Sequence, residues 1–157
     1  MAYAACPTDV IGAPIDLVWH LLTTPEEWGA FYDVRITEIV PSGPAKVGQK
    51  IRGVTGPLGL RLPVTFEFLT IDAAEHRLVM DVRLPFGIGV HEDLDARPVD
   101  ASRCRVNYHC GFEFPEGWRG ALMRMILRRE LDRGPADSLA RLKRAAEQRY
   151  SERGQST

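Results

Sequence analysis

Glu92 is the residue that most suggests chemistry. It stands between Val90 and Leu94, on the apolar phase of a stretch whose polar phase is His91, Asp93 and Asp95. An ionised carboxylate on an apolar face is costly unless it is paired or wet. Such a group either anchors the polar end of a ligand or, with its pKa raised by burial, moves protons as a general acid or base. A frayed or solvent-facing strand end would also accommodate it. Tyr108 falls on the apolar phase of the following stretch, with Val106 and Cys110. A phenol there can orient a ligand hydroxyl or carbonyl, or bond a main-chain carbonyl within a core. Glu92 and Tyr108 are thus the candidate catalytic residues, if the chain is an enzyme.

Other groups carry less. His91, His109 and Asp93 have metal-ligating side chains, but a solvated sheet face explains them and they form no closed ligand set. No metal and no cofactor is expected. Glu38 interrupts the apolar phase of its own segment, which an edge position or helix packing would explain. Arg52 would neutralise an acidic ligand if it pointed inward and is otherwise a surface residue. His20 belongs to the polar side of a helix and His76 to a turn. Cys6, Cys104 and Cys110 are an odd set without CxxC spacing. Cys104 and Cys110 lie about 20 Å apart along one strand and cannot bridge. No GxSxG, P-loop, GxGxxG or HExxH motif is present.

The elements that must position Glu92 and Tyr108 follow from hydrophobic spacing. Residues 3–12 have strand character, with Pro7 confining that strand to an edge or a bulge. Pro14 opens a helix on which Ile15, Val18, Trp19 and Leu22 share a face. Thr24-Pro25-Glu26-Glu27 opens a second short helix carrying Trp28 and Phe31. From 34 to 114 the period is two. Leu62, Val64, Phe66 and Phe68 alternate with Arg61, Pro63, Thr65 and Glu67; Leu78, Met80, Val82 and Leu84 with Val79, Asp81 and Arg83; Val90, Leu94 and Ala96 with His91, Asp93 and Asp95; and Cys104 through Phe114 with Arg105, Asn107, His109 and Glu113. About six antiparallel strands, each with one buried face, are predicted there.

The helical period returns after Gly117. Met123, Leu127, Leu131, Leu139, Leu142 and Ala146 form a stripe over 118–148, with Leu122 and Ile126 beside it. Gly134-Pro135 should kink or break this helix near its middle. Arginines line its polar side, interleaved with acids, as on a solvated face. The fold class is α+β: a curved antiparallel sheet of about seven strands, two short helices after strand 1, and a long C-terminal helix covering the sheet. Residues 1–150 form a single domain and 151–157 a flexible polar tail.

A register for the Val90–Phe112 hairpin follows if the turn lies near Pro98–Ser102. Ala96 then pairs with Cys104, Asp95 faces Arg105, His91 faces His109 and Glu92 faces Tyr108. Opposite charges at Asp95 and Arg105 favour this pairing, and a slip of two residues would keep the faces while changing the partners.

The segments IGAPIDLVWHLLTTPEEWGAFY (11–32), KVGQKIR (46–52) and SLARLKRAAEQ (138–148), in this order of elements, resemble the START-like or SRPBCC superfamily, which includes polyketide cyclase/dehydrase-like and lipid-transfer proteins. The resemblance spans nearly the whole chain and rests on scaffold motifs. It implies a helix-grip fold with an apolar cavity between sheet and long helix. Trp28, Phe66, Phe68, Met80, Met123, Ile126 and Leu127 are then candidates for the cavity wall, with Glu92 and Tyr108 as polar ligand contacts. The implied function is binding of a lipid, quinone or polyketide-like molecule. The alternative is a polyketide cyclase/dehydrase-type enzyme using Glu92 and Tyr108 as acid and base. A third reading is an interaction module with its cavity partly filled.

Composition bounds the rest. The 157 residues carry a net charge of −1, with 20 Lys and Arg against 21 Asp and Glu. No global attraction to nucleic acid is expected. No apolar run approaches the ~20 residues of a bilayer span, so no stable membrane insertion is expected. The N-terminus lacks the basic and apolar regions of a signal peptide, and with its cysteine usage suggests a cytoplasmic protein. Either a monomer or a homodimer is expected.

Overall fold

Pro7 decides how the chain begins. The computed structural model describes residues 3–56 and 59–155. The N-terminal strand is divided into β1 (Tyr3–Ala5) and β2 (Thr8–Ile11), with Cys6 and Pro7 between them. A proline cannot donate to a ladder, so pairing is interrupted there and resumes beyond it. Next come α1 (Ile15–Leu22) and a 3-10 helix (Pro25–Ala30). Thr24 does not cap that second helix; its hydroxyl donates to the His20 carbonyl at 2.7 Å.

Six strands follow, as the two-residue period requires: β3 (Val34–Val40), β4 (Lys50–Thr55), β5 (Leu62–Asp72), β6 (Arg77–Arg83), β7 (Gly89–Asp100) and β8 (Arg103–Glu113). All pair antiparallel in one sheet of eight strands, ordered β1-β8-β7-β6-β5-β4-β3, with β2 also on β8. The eighth strand beyond the expected seven is the product of the Pro7 break. Pairing shifts between Ile36 and Glu38, Phe68 and Thr70, and Pro98 and Asp100. Such irregularities bend and twist strands, which lets the sheet curve around a helix.

The helix is α2 (Trp118–Gln155), and it is not broken at Gly134-Pro135. Pro135 is buried, and its neighbours hold the helix together across the one missing donor. α2 takes in 151–155 of the expected tail; Ser156 and Thr157 lie outside the described residues. Its start is fixed by Gly120, where a Cβ would lie 1.8 Å from the Pro115 carbonyl oxygen. Only glycine permits that approach.

α2 grips unevenly. Its second half buries Leu139, Leu142 and Ala146. It is also tied by polar contacts: Glu147 accepts from the Gly12 amide at 2.8 Å, Lys143 pairs with Asp9 at 3.2 Å, and Arg149 pairs with Glu27. Between 121 and 130 no residue is buried. Met123 and Leu127 of the expected stripe are only half-buried, and Leu122 and Ile126 are exposed. The apolar core therefore runs from α1 and the 3-10 helix across the sheet to the C-terminal half of α2. A hollow is left where the middle of α2 passes over β4–β8.

Candidate functional site

The hollow is a cavity of about 260 Å³. Apolar side chains from β4–β8 make most of its wall, among them Val64, Phe66, Val82, Val90 and Phe112. Glu130, Gly134, Pro135, Asp137, Ser138 and Arg141 of α2 form the opposite side. Asp33, Glu130, Asp137 and Arg141 place exposed charges around it. The volume falls just below the roughly 300–1,000 Å³ typical of ligand sites. It exceeds the ~150 Å³ of an engineered cavity that holds benzene.

Three polar side chains meet in this apolar setting: Tyr32, Glu92 and Tyr108. Glu92 points inward from β7 and is 7% exposed. Tyr32 leaves the 3-10 helix with its ring against Trp28, at 5.4 Å between centroids, and Phe66, at 5.9 Å. That packing aims its hydroxyl at Glu92, to which it donates at 3.0 Å. Tyr108 reaches Glu92 from β8.

The hairpin register differs from the expected one by two residues. Glu92 is opposite Cys110, Leu94 opposite Tyr108 and Asp95 opposite Asn107. The cause is a tighter turn. Asp100 accepts from the Ser102 amide at 2.9 Å and from Arg103 at 2.8 Å, so the ladder continues past Pro98 to Asp100–Arg103. Asp95 then bonds Asn107 at 3.1 Å and pairs with Arg97 at 3.5 Å, not with Arg105. Because the slip is even, every face is preserved. Tyr108 becomes the diagonal neighbour of Glu92 rather than its direct partner, still within reach for a long side chain.

Burial sets the electrostatics. Desolvation pushes the Glu92 carboxyl from 4.5 up to about 7, against the pull of Tyr108, Tyr32 and the His91 charge, which favour the ionised form. Burial, reinforced by the Glu92 charge, pushes both tyrosine hydroxyls well above 10. Both phenols therefore stay protonated while the carboxyl titrates near neutrality. Cys110, also on the wall, is held protonated by the same burial and charge. The cluster is one exchangeable proton between two hydroxyl donors, buried at the inner end of an open cavity. It can donate to a carbonyl oxygen or accept a proton from an acidic C–H or O–H.

Of the candidate wall residues, the structure brings Phe66, Glu92 and Tyr108 to the cavity. Trp28, Phe68 and Met80 are fully buried in the packed core instead. Trp28 lies edge-on to Phe66 and Phe68 and donates to the Leu22 carbonyl at 3.1 Å. Met123, Ile126 and Leu127 do not line it, because that part of α2 stands off the sheet. Tyr32 escaped the sequence reading. It follows a short helix in a stretch with no periodicity, and only its place in an aromatic cluster reveals its role.

The remaining candidates sit on the outer surface. Arg52 pairs with Glu38 at 2.7 Å, on the edge side of the sheet. Asp93 is bound by Arg77 at 2.7 Å and held below the usual carboxylate range by it. His91 pairs with Asp81 at 2.7 Å, and His109 meets Cys6 Sγ at 2.9 Å through Nδ1. Among the described residues no group of three or more His, Cys, Asp or Glu side chains could hold a metal ion.

Known proteins place this architecture. Residues 8–147 match the family model described as polyketide cyclase / dehydrase and lipid transport. No curated protein matches the sequence. The Zhui aromatase/cyclase of Streptomyces sp. R1128 superposes with a TM-score of 0.80 over 95% of this chain and 96% of its own, at 20% identity. TTHA0849 of Thermus thermophilus superposes with a TM-score of 0.69 over 90% of this chain and 95% of its own, at 18% identity. Truncated norcoclaurine synthase of Thalictrum flavum gives 0.67 over 92% and 93%, at 13% identity. At these identities the likeness is one of fold, the helix-grip fold of the START-like superfamily. The chain belongs to the polyketide cyclase/dehydrase and lipid-transport family.

Proposed function

We propose that this protein binds a compact, largely apolar molecule in the cavity and that Glu92 moves a proton on it, as a cyclase or dehydrase would. The observation that carries this reading is the convergence of Tyr32, Glu92 and Tyr108 in an apolar cavity. A carrier needs only a wall and an opening, and a carboxylate isolated in that wall would have favoured one. This carboxylate is instead flanked by two hydroxyl donors and titrates where an acid–base catalyst works best.

One carboxyl can perform both halves of a dehydration. Ionised Glu92 takes the proton from the carbon between a carbonyl and a hydroxyl-bearing carbon. The developing enolate oxygen accepts hydrogen bonds from Tyr32 and Tyr108. The carboxylic acid then returns the proton to the departing hydroxyl, water leaves, the new C=C bond forms, and Glu92 is ionised again. Scaled from the benzene-sized cavity, the space takes about ten non-hydrogen atoms, the size of a two-ring system. The simpler reading, a carrier of the same molecule, keeps the binding and drops the proton transfer.

Two measurements separate these readings. Binding of naphthalene, a fluorophore of two fused rings that matches this space, reports whether the cavity binds at all. Turnover of 5-nitrobenzisoxazole, a bicycle whose ring opens when a base takes its acidic C–H proton, reports whether Glu92 acts on what is bound. Turnover should rise with pH through about 7 and vanish in Glu92→Gln, while fluorophore binding survives. Binding without Glu92-dependent turnover would leave the carrier; no binding would reject both.

A further inference from the structure

α2 exposes an apolar face where it stands off the sheet. Trp118 is 72% exposed, Met125 69%, Ile126 59% and Leu122 42%. Spacings of four, seven and eight place these side chains on one face, opposite Gly120 and Leu131, which the fold buries. A second element adds an aromatic at the same end. Phe86, 68% exposed, sits in the β6–β7 turn with φ of +64°, a backbone conformation rare for a bulky residue, and its ring faces outward. Gly87 beside it lies against Pro115, the residue on which Gly120 seats the start of α2.

Arginines accompany this face: Arg119, Arg129 and Arg133 fall on it or beside it, whereas Arg124 is half-buried on the opposite side. Arg129 and Arg133 continue the apolar row along the helix, and Arg119 lies over the Trp118 ring at 5.6 Å. Asp132 is occupied by Arg128 and Tyr3. Aromatic and aliphatic side chains beside arginines are what an interfacial helix presents to acyl chains and anionic headgroups. The patch lies at the same end of the fold as part of the cavity wall: Leu84 follows β6 on the way to Phe86, and Phe112 stands near the end of β8 on the way to Pro115.

We propose that the first turns of α2 and the Phe86 turn dock this protein peripherally on an anionic lipid bilayer. Among the described residues no helix is long and apolar enough to cross a membrane; the contact proposed is superficial and reversible. The docking itself does not depend on what the cavity holds. A protein whose cavity bound nothing would still dock, so failure of the functional reading above and failure of this one are separable.

Sedimentation of the full chain with phosphatidylcholine vesicles, with and without phosphatidylglycerol, tests the proposal. Binding should require phosphatidylglycerol and weaken with salt. Ile126→Glu should weaken it about tenfold or more without lowering the melting temperature, because the side chain is exposed. Arg129→Gln and Arg133→Gln should each weaken it about fivefold. In the unaltered protein, brominated acyl chains should quench the part of the tryptophan emission that Trp118→Phe removes. Equal binding to both vesicle types, no binding, or a dimer that Ile126→Glu dissociates would each overturn the proposal; the last would assign this face to a second copy of the chain.

Discussion

Replacing Glu92 by Gln should stabilise this protein at pH 8, the reverse of the usual result for a buried polar residue. The folded-state value of about 7 lies above the ordinary 4.5, so between those values the folded protein holds a proton that the unfolded chain releases. The contribution of Glu92 to stability is therefore complete below about 4.5 and is lost as pH rises through about 7. The difference between the two values corresponds to about 3 kcal/mol. A glutamine stays neutral throughout and keeps the shape, so its stability should not show this decline. Urea denaturation of both proteins at pH 5 and pH 8 measures the effect. The unaltered protein should lose about 2.5 kcal/mol more than Glu92→Gln across that interval, since pH 5 lies just above the ordinary value. In thermal melts of a domain this size the loss is about 5–10 °C. Groups remote from Glu92 contribute equally to both proteins and cancel in the difference. Parallel pH profiles would refute the reasoning, for they would mean that Glu92 is ionised and solvated in the folded state at all these pH values.

Three further outcomes follow from the same structure. Leu139→Asp should abolish cooperative unfolding in circular dichroism melts, because Leu139 is 4% exposed and an unpaired charge there costs several kcal/mol. Tyr32→Phe should fold and should move the pH midpoint of 5-nitrobenzisoxazole turnover above about 7, since the lost hydroxyl favours the ionised carboxyl. Ellman's reagent should label one thiol quickly in the native protein and three after denaturation: Cys6 is exposed, whereas burial pushes Cys104 up to about 11 and Cys110 higher still.

The sheet and its faces were legible because side-chain alternation in a strand is an all-or-none signal. Val90, Leu94 and Ala96 put Glu92 on the inner face regardless of which residues it meets across the ladder. The partners were not legible, because register is fixed by the turn. The geometry of Asp100 with Ser102 and Arg103, invisible in the alternation, extends the hairpin by two residues. The charge pair Asp95–Arg105, which favoured the shorter hairpin, is worth little on an exposed face and cannot outweigh a turn that satisfies its own backbone.

Helix α2 shows a different limit. Its apolar residues are real, but periodicity says which residues share a face and not how close that face comes to the sheet. Leu139, Leu142 and Ala146 are buried because Glu147, Lys143 and Arg149 tie that half of the helix to the N-terminal strand and the 3-10 helix. Among the described residues the first half of the helix has fewer such ties: Gly120 seats on Pro115, and Asp132 accepts from Tyr3. The standoff that removes Met123, Ile126 and Leu127 from the cavity wall is also what leaves the cavity open beside Glu130 and Asp137. It turns Trp118, Leu122, Met125 and Ile126 outward as well. A helix packed along its whole length would close the hollow over Glu92 and strand the carboxyl where nothing could reach it. The uneven grip of α2 thus joins the two functional readings: it keeps a near-neutral acid accessible from one end of the fold, and it makes that end apolar.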